Sequence, residues 1–454
     1  MSGRIGMAGL LVFALTACGG GGTAGATPGT RAPVTPTAPA VPTAQDTTGQ
    51  DTTGQDTPAA TTSAAVPSRV PAANGDVSRV LARMSVEEKV GQLFMPVLYG
   101  TSADSVSGEN QARYGAQTPA KVIAKYHLGG VILFPANVTS VSQVVALTNG
   151  LQAASPRVPL IIGTDQENGL VSRMGALMTK FPGASTVGAT GDPARSRAVA
   201  KATGEELRAL GVNLDFAPVA DVNVNPKNPV IGRRAYGDDP AKVAAMVSGA
   251  VKGFGDAGVA SSAKHFPGHG DTDVDSHTGL PVIKHTRAQW ERIDAPPFRA
   301  AVAAGVDAVM SAHIVFPKLD PSGDPATLSR PILTGMLREK LGFKGVVSTD
   351  ALNMEGVRKK YGDGEVAVRA VLAGADLLLM PNDLPKAYTA VTAAVKSGRI
   401  SRARLDQSVT RLLTLRQKRG FLRAAPRASA SEAAGVLRSA EHRRLAARVT
   451  REGS

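Results

Sequence analysis

The sequence predicts an α/β protein, a single-domain (β/α)8 barrel of the TIM type, on three observations. Eight short runs, mostly apolar on both faces and bounded by Gly, Pro or Asp, recur along about 345 residues, as strands buried in a parallel sheet require. Stretches with helical spacing separate them. Polar residues gather at the carboxyl ends of the runs, where a barrel of this kind builds its active site.

The first helix is expected at Ser85-Val86-Glu87-Glu88, a capping box in which the Ser85 and Glu88 side chains satisfy each other's free backbone donors. The apolar runs follow in order at 93–98, 130–134, 160–164, 212–219, 259–264, 308–312, 346–349 and 376–380. Helical spacing covers 118–126, 138–153, 193–210, 240–254, 287–304, 329–341, 364–373 and 384–397. The runs have the length of strands, and each gap has room for the crossover helix that joins parallel neighbours.

Ahead of this unit, residues 1–17 read as a signal peptide: Arg4, an apolar stretch of about a dozen residues, then Leu15-Thr16-Ala17-Cys18. The small residues before Cys18, the only cysteine, resemble a bacterial lipobox. Lipidation at Cys18 and an extracytoplasmic, membrane-anchored protein are expected. Residues 18–75 are rich in Gly, Thr, Pro and Ala and include the repeat Thr47-Thr48-Gly49-Gln50-Asp51-Thr52-Thr53-Gly54-Gln55-Asp56. Such a segment buries too little apolar surface to order and is expected to serve as a disordered tether. One cysteine excludes an internal disulfide framework and a multi-thiolate zinc site.

Charge is equally uneven. From Lys396 onward there are 15 basic and 4 acidic residues, so +11 of the net +14 lies at the carboxyl end. Residues 423–454 are expected to form a basic, Ala/Arg-rich, partly helical tail beyond a catalytic domain spanning 76–422. The tail lacks the interleaved aromatics that stack on bases, so no nucleic-acid partner is expected.

The candidate site residues follow the runs. The third ends in Asp165-Gln166-Glu167, the fourth leads to Asp221 and Arg233-Arg234, the fifth ends in Lys264-His265, the sixth in His313 and the seventh in Asp350. The densest stretch runs from Lys264 to His277 and holds His265, His269, His277, Asp271, Asp273 and Asp275. Pro267 and Gly268 forbid a helix that would align His265 with His269 for a metal. Asp271-x-Asp273-x-Asp275 begins like a calcium loop, but Ser276 replaces the required Gly and Val282 the bidentate Glu. No metal or other cofactor is therefore expected; hydrogen bonding and proton transfer on a polar ligand are.

These same residues make the chain similar to glycoside hydrolase family 3 β-N-acetylglucosaminidases of the NagZ type. The resemblance rests on Lys264-His265-Phe266-Pro267-Gly268-His269-Gly270-Asp271-Thr272, Asp275-Ser276-His277, Asp165-Gln166-Glu167, Gly232-Arg233-Arg234 and Ser348-Thr349-Asp350-Ala351-Leu352-Asn353-Met354. It implies that Asp350 is the nucleophile and that His277, held by Asp275, is the general acid and base. It also implies that Asp165, Arg173, Arg234, Lys264 and His265 hydrogen-bond the terminal sugar. The chemistry suits these types: a retaining glycosidase needs a carboxylate to form a glycosyl ester and a second group to move a proton, which an imidazole can do near neutral pH. Two departures stand out: Asn168-Gly169-Leu170 replaces a Gly-Gly-Arg continuation, and Thr349 stands where a second aspartate is frequent.

The implied function is release of terminal N-acetylglucosamine (GlcNAc) from cell-wall muropeptide fragments by a monomer bound to the membrane through Cys18. A β-glucosidase, a phosphate-using enzyme of the same family, and a lipoprotein that binds wall sugars without cleaving them remain open at this point. His269 is expected to bond loop backbone, and Trp290 to be packing.

Overall fold

The computed structural model describes residues 75–276, 279–358 and 360–454. Ten strands occur among them: β1 (Phe94–Met95), β2 (Gly130–Ile132), β3 (Ile161–Thr164), β4 (Gln166–Asn168), β5 (Val171–Ser172), β6 (Leu214–Asp215), β7 (Ala260–Phe266), β8 (Ala308–Ser311), β9 (Val346–Ser348) and β10 (Leu378–Leu379). A six-stranded parallel sheet runs β2-β3-β6-β7-β8-β9, and β1 pairs with β10 in a second parallel sheet. Single parallel bridges join Val97 to Ile132 and Ser348 to Leu377. Each of the eight expected runs thus supplies one parallel strand.

Several strands are shorter than their apolar runs. Pro96 has no N–H to give a ladder, so β1 ends at Met95, and β6 covers only Leu214–Asp215; isolated bridges follow at Val97 and Val219. The hairpin β4–β5 was not expected. The helix expected over 287–304 is two helices, Arg287–Ile293 and Ala295–Ala303, because Pro296 and Pro297 fit only a first turn. The capping box at Ser85 is present, with Glu88 N–H donating to Ser85 Oγ at 3.1 Å and Ser85 N–H to Glu88 Oε2 at 2.8 Å.

One continuous apolar core runs between the strands and the helices outside them. Met95 fills the interior beside Gly130 and Gly163; a Cβ on Gly163 would sit 2.6 Å from its methyl group. At the amino ends of the strands the core is closed by helix Arg402–Lys418. Its Ser408 and Arg411 bond Asp376 at 2.7 and 3.1 Å, and Asp376 also accepts from Val347 N–H at 3.0 Å. Burial would raise the Asp376 carboxyl, but Arg338, Arg411 and Arg404 outweigh it and hold the group far below the usual range. Arg416, fully buried and with no carboxylate partner among the described residues, donates to the carbonyls of Pro159, Leu412 and Gly129, and burial pushes its guanidinium down to about 9.

Residues 423–454, expected as a partly helical basic tail, form two helices. Helices Ala430–Val436 and Ala440–Glu452 pack against Pro193–Ala209, and Ala446 and Val449 join Phe181, Val187, Val199 and Met246 in a second apolar cluster. His442 Nδ1 lies 2.7 Å from the buried Glu206 carboxylate, which also accepts from Thr179 and from Arg438 N–H. The amphipathic spacing of the last helix made this docking possible; its basic composition concealed it.

Candidate active site

The carboxyl ends of β3, β7 and β9 surround a cavity of about 490 Å³. Asp165, Arg173, Arg234, Lys264, His265, Asp275 and Asp350 all line it. The structure therefore brings together every expected site residue that falls among the described ones. His277 and Cys18 lie outside the described residues. A larger cavity, about 760 Å³, sits at the opposite ends of the strands beside Val80, Met84, Ile123 and Leu422. Three of its four arginines are paired, Arg79 and Arg423 with Asp76 and Arg157 with Glu88, whereas the smaller cavity gathers the expected acids and bases.

The hairpin β4–β5 positions the first group of side chains. Buried Gln166 fastens it: its N–H donates to Asp215 at 2.8 Å, its amide donates to Ser172 Oγ at 2.7 Å, and its carbonyl accepts from Met174 N–H at 3.1 Å. Asp165 and Glu167 then face the cavity from either side of Gln166, as alternation along an extended chain demands. Arg173 follows the hairpin and stacks over the Phe134 ring, 5.1 Å from its centroid. Its buried Nε has no hydrogen-bond partner among the described residues, which leaves a donor for a polar ligand.

Lys264 and Arg234 meet these carboxylates. Lys264 Nζ lies 2.7 Å from Asp165 Oδ1 and 2.7 Å from Glu167 Oε1. Arg234 grips Glu167 through two bonds, Nε to Oε2 at 2.8 Å and Nη2 to Oε1 at 2.7 Å. Burial works to raise Glu167, but the two cations prevail and hold its carboxyl at about 2. Lys264 is penalised by burial yet raised on balance by Asp165 and Glu167. Two acids and two bases thus form a fixed, locally neutral polar wall.

Asp221, wholly buried, organises the other side. It accepts from His265 N–H at 3.1 Å and His269 N–H at 2.8 Å, and its Oδ2 lies 2.7 Å from His265 Nδ1. That contact occupies Nδ1 and leaves Nε2 as the His265 nitrogen for a ligand. Asp350 closes β9 and accepts from Ala351 N–H at 2.7 Å. Burial alone would raise its carboxyl, but His313, His265, the Ala351 N–H and Lys264 lower it below its ordinary value. Asp350 is therefore an ionised carboxylate at the cavity floor. His313 stands behind it, 3.0 Å from the Ala351 carbonyl and 2.8 Å from Thr327 Oγ1. Trp290 is buried and donates to the Pro267 carbonyl at 2.9 Å, which is the packing role expected of it.

Sequence reasoning missed two organisers. Glu167 was visible only as the neighbour of Asp165; its place two residues further along the extended chain was the available signal. Asp221 was noted at a strand end without a role, since its partners lie 44 and 48 positions away. Nothing in the sequence marked the apolar walls formed by Met310, Met354 and Met380.

Fold and site together define a parallel α/β domain whose polar cavity opens at the carboxyl ends of its strands, with an ionised aspartate facing paired cations and carboxylates. Residues 85–415 match the N-terminal domain of glycosyl hydrolase family 3, and the chain belongs to that family. It is 39% identical over 376 residues to beta-hexosaminidase A of Pseudoalteromonas piscicida, covering 76% of this chain and 62% of the relative. It is 32% identical over 382 residues to a beta-N-acetylglucosaminidase/beta-glucosidase of Cellulomonas fimi, covering 82% of this chain and 64% of that one. The chain thus spans a little under two thirds of the length of these curated relatives. The solved structure of a glycoside hydrolase family 3 beta-N-acetylglucosaminidase from Paenibacillus sp. str. FPU-7 aligns with a TM-score of 0.73 and 42% identity, over 82% of this chain and 69% of that one.

Proposed function

We propose that the chain is a retaining exo-β-N-acetylglucosaminidase that removes terminal GlcNAc from cell-wall fragments. The observation that carries this reading is the ionised Asp350 at the floor of a cavity that also holds Asp165, Arg173, Arg234, Lys264 and His265. The names of the relatives support the substrate class. The strand order, with bridges at Val97–Ile132 and Ser348–Leu377 at the margins of the six-stranded sheet, supports a closed (β/α)8 barrel around this floor.

In this reading the Asp350 carboxylate attacks the anomeric carbon while the bond to the leaving oxygen breaks and His277 gives that oxygen its proton. Water then attacks the glycosyl ester, passes its proton to His277 and frees Asp350. Asp275 orients His277. Asp165 accepts from sugar hydroxyls, while Arg173, Lys264, Arg234 and His265 donate to them. No cofactor takes part.

The test is nitrophenol release by the full chain from the 4-nitrophenyl β-glycosides of GlcNAc and of glucose, with and without added phosphate. Faster release from the GlcNAc substrate is expected; release from neither overturns the reading. The Cellulomonas relative's double name favours one second reading, a β-glucosidase, and preference for the glucoside would adopt it. A rate that needs phosphate would replace water by phosphate in the second step.

We also propose that the protein works as a monomer on the outer face of the membrane, held by acyl chains at Cys18. Cells fed a labelled fatty acid should label the parent and not Cys18→Ala, which should leave the membrane fraction. Label retained by the variant would refute the anchor.

A further inference from the structure

The segment that leaves β7 is fastened at two points. At its near end, Asp271 Oδ2 lies 3.0 Å from His285 Nε2, and His285 Nδ1 lies 2.6 Å from the buried Asp294. At its far end, Ser276 Oγ lies 2.9 Å from His269 Nε2. His269 is fixed in turn by its N–H bond to Asp221. Gly270 rests so closely on Val222 that a Cβ would stand 1.7 Å from the Val222 carbonyl oxygen. Between the two points Asp273 and Val274 are exposed, whereas Ser276 is only 2% exposed. Ser276 packs against Gly356, whose added Cβ would stand 3.5 Å from the Ser276 carbonyl oxygen, and its hydroxyl is turned to His269.

Two facts give the His269–Ser276 contact a purpose beyond packing. Ser276 lies in the chain between Asp275, which lines the cavity, and His277. The His269 side chain has no second hydrogen-bond partner among the described residues: burial and the nearby His265 push its ring down to about 4, so it is neutral, and its buried Nδ1 is unpartnered there. The ring spends its single hydrogen bond on Ser276.

We propose that His269 and Ser276 form a latch that sets the position of Asp275 in the cavity wall, which makes them positioning residues for the proton transfer to the leaving group in which Asp275 takes part. The proposal rests on the acid–base reading given above. A latch of this kind matters most where the leaving oxygen most needs a proton, and least where the leaving group departs readily as an anion.

The experiment compares the full chain with Ser276→Ala, His269→Ala, His269→Gln and His277→Ala on a series of aryl β-GlcNAc substrates, from 2,4-dinitrophenyl through 4-nitrophenyl to 4-methoxyphenyl. Ser276→Ala and His269→Ala should lose roughly tenfold or more in kcat on the 4-methoxyphenyl substrate. They should stay within about twofold on the dinitrophenyl one, where proton donation contributes little. His269→Gln, whose amide can reach Ser276, should recover most of the loss. A steep response to the leaving group in His277→Ala with a flat one in folded Ser276→Ala and His269→Ala overturns the latch alone. A flat response in His277→Ala, or a parent inactive on the whole series, overturns the acid–base reading and the latch with it.

Discussion

Replacing Asp350 by Asn is expected to lower kcat on 4-nitrophenyl β-N-acetylglucosaminide by at least about a thousandfold, because the covalent intermediate can no longer form. The amide oxygen can keep the bond to Ala351 N–H that the carboxylate now accepts at 2.7 Å. Fold and cavity should then survive, and the loss should fall on kcat rather than on KM. Asp350→Ala carries a second readout: azide can enter the space left by the carboxylate and attack the sugar directly, restoring part of the rate and giving a glycosyl azide of inverted configuration. Activity within tenfold of the parent in the Asn variant would mean that another group attacks. Since the Asp350 carboxyl is held below its ordinary value of 3.8, it stays ionised throughout the mildly acidic range, and an acid limb above that pH must come from a different group.

The second large effect belongs to Glu167→Gln. The parent side chain is 4% exposed and receives both Lys264 and Arg234, which are 3% and 15% exposed. Removing one partner of a buried ion pair leaves charge without compensation and costs about 3–5 kcal/mol. Lys264 keeps Asp165, so about 3 kcal/mol is expected, read as a lower denaturation midpoint in urea at neutral pH. KM should rise as well, because the cations that line the proposed sugar site lose their common anchor. The sign with pH follows from the lowered carboxyl. Glu167 contributes its full stability above its unfolded value of 4.5 and loses it as pH falls toward about 2. The parent and Glu167→Gln curves should therefore converge through that window. Parallel curves would show that the pair is not the source of the difference.

Much of this architecture was legible because burial on both faces leaves a local signature. Each of the eight apolar runs became a parallel strand, and the acids and bases at their ends, from Asp165 through Lys264 to Asp350, converge on one cavity. What escaped depended on partners far away in sequence. The hairpin carrying Asp165 and Glu167 is built from Gln166, Asn168 and Ser172, whose polarity gives no alternation to read. Arg404, Arg411 and Arg416 look like a solvated face until Asp376 and the carbonyls of Pro159 and Gly129 are brought beneath them. The docking of the chain end was hidden for the same reason: His442 and Val449 are ordinary in a basic stretch, and only Glu206, 236 positions earlier, makes His442 a buried anchor.

That anchored end changes how its charge presents itself. With His442, Ala446 and Val449 turned inward, helix Ala440–Glu452 holds Arg443, Arg444, Arg448 and Arg451 outward on a fixed scaffold. A flexible basic segment must surrender conformational freedom each time it meets a polyanion, whereas here the backbone entropy has already been spent in folding. The guanidinium groups therefore project from backbone positions of fixed spacing, and only their side chains keep conformational freedom to lose.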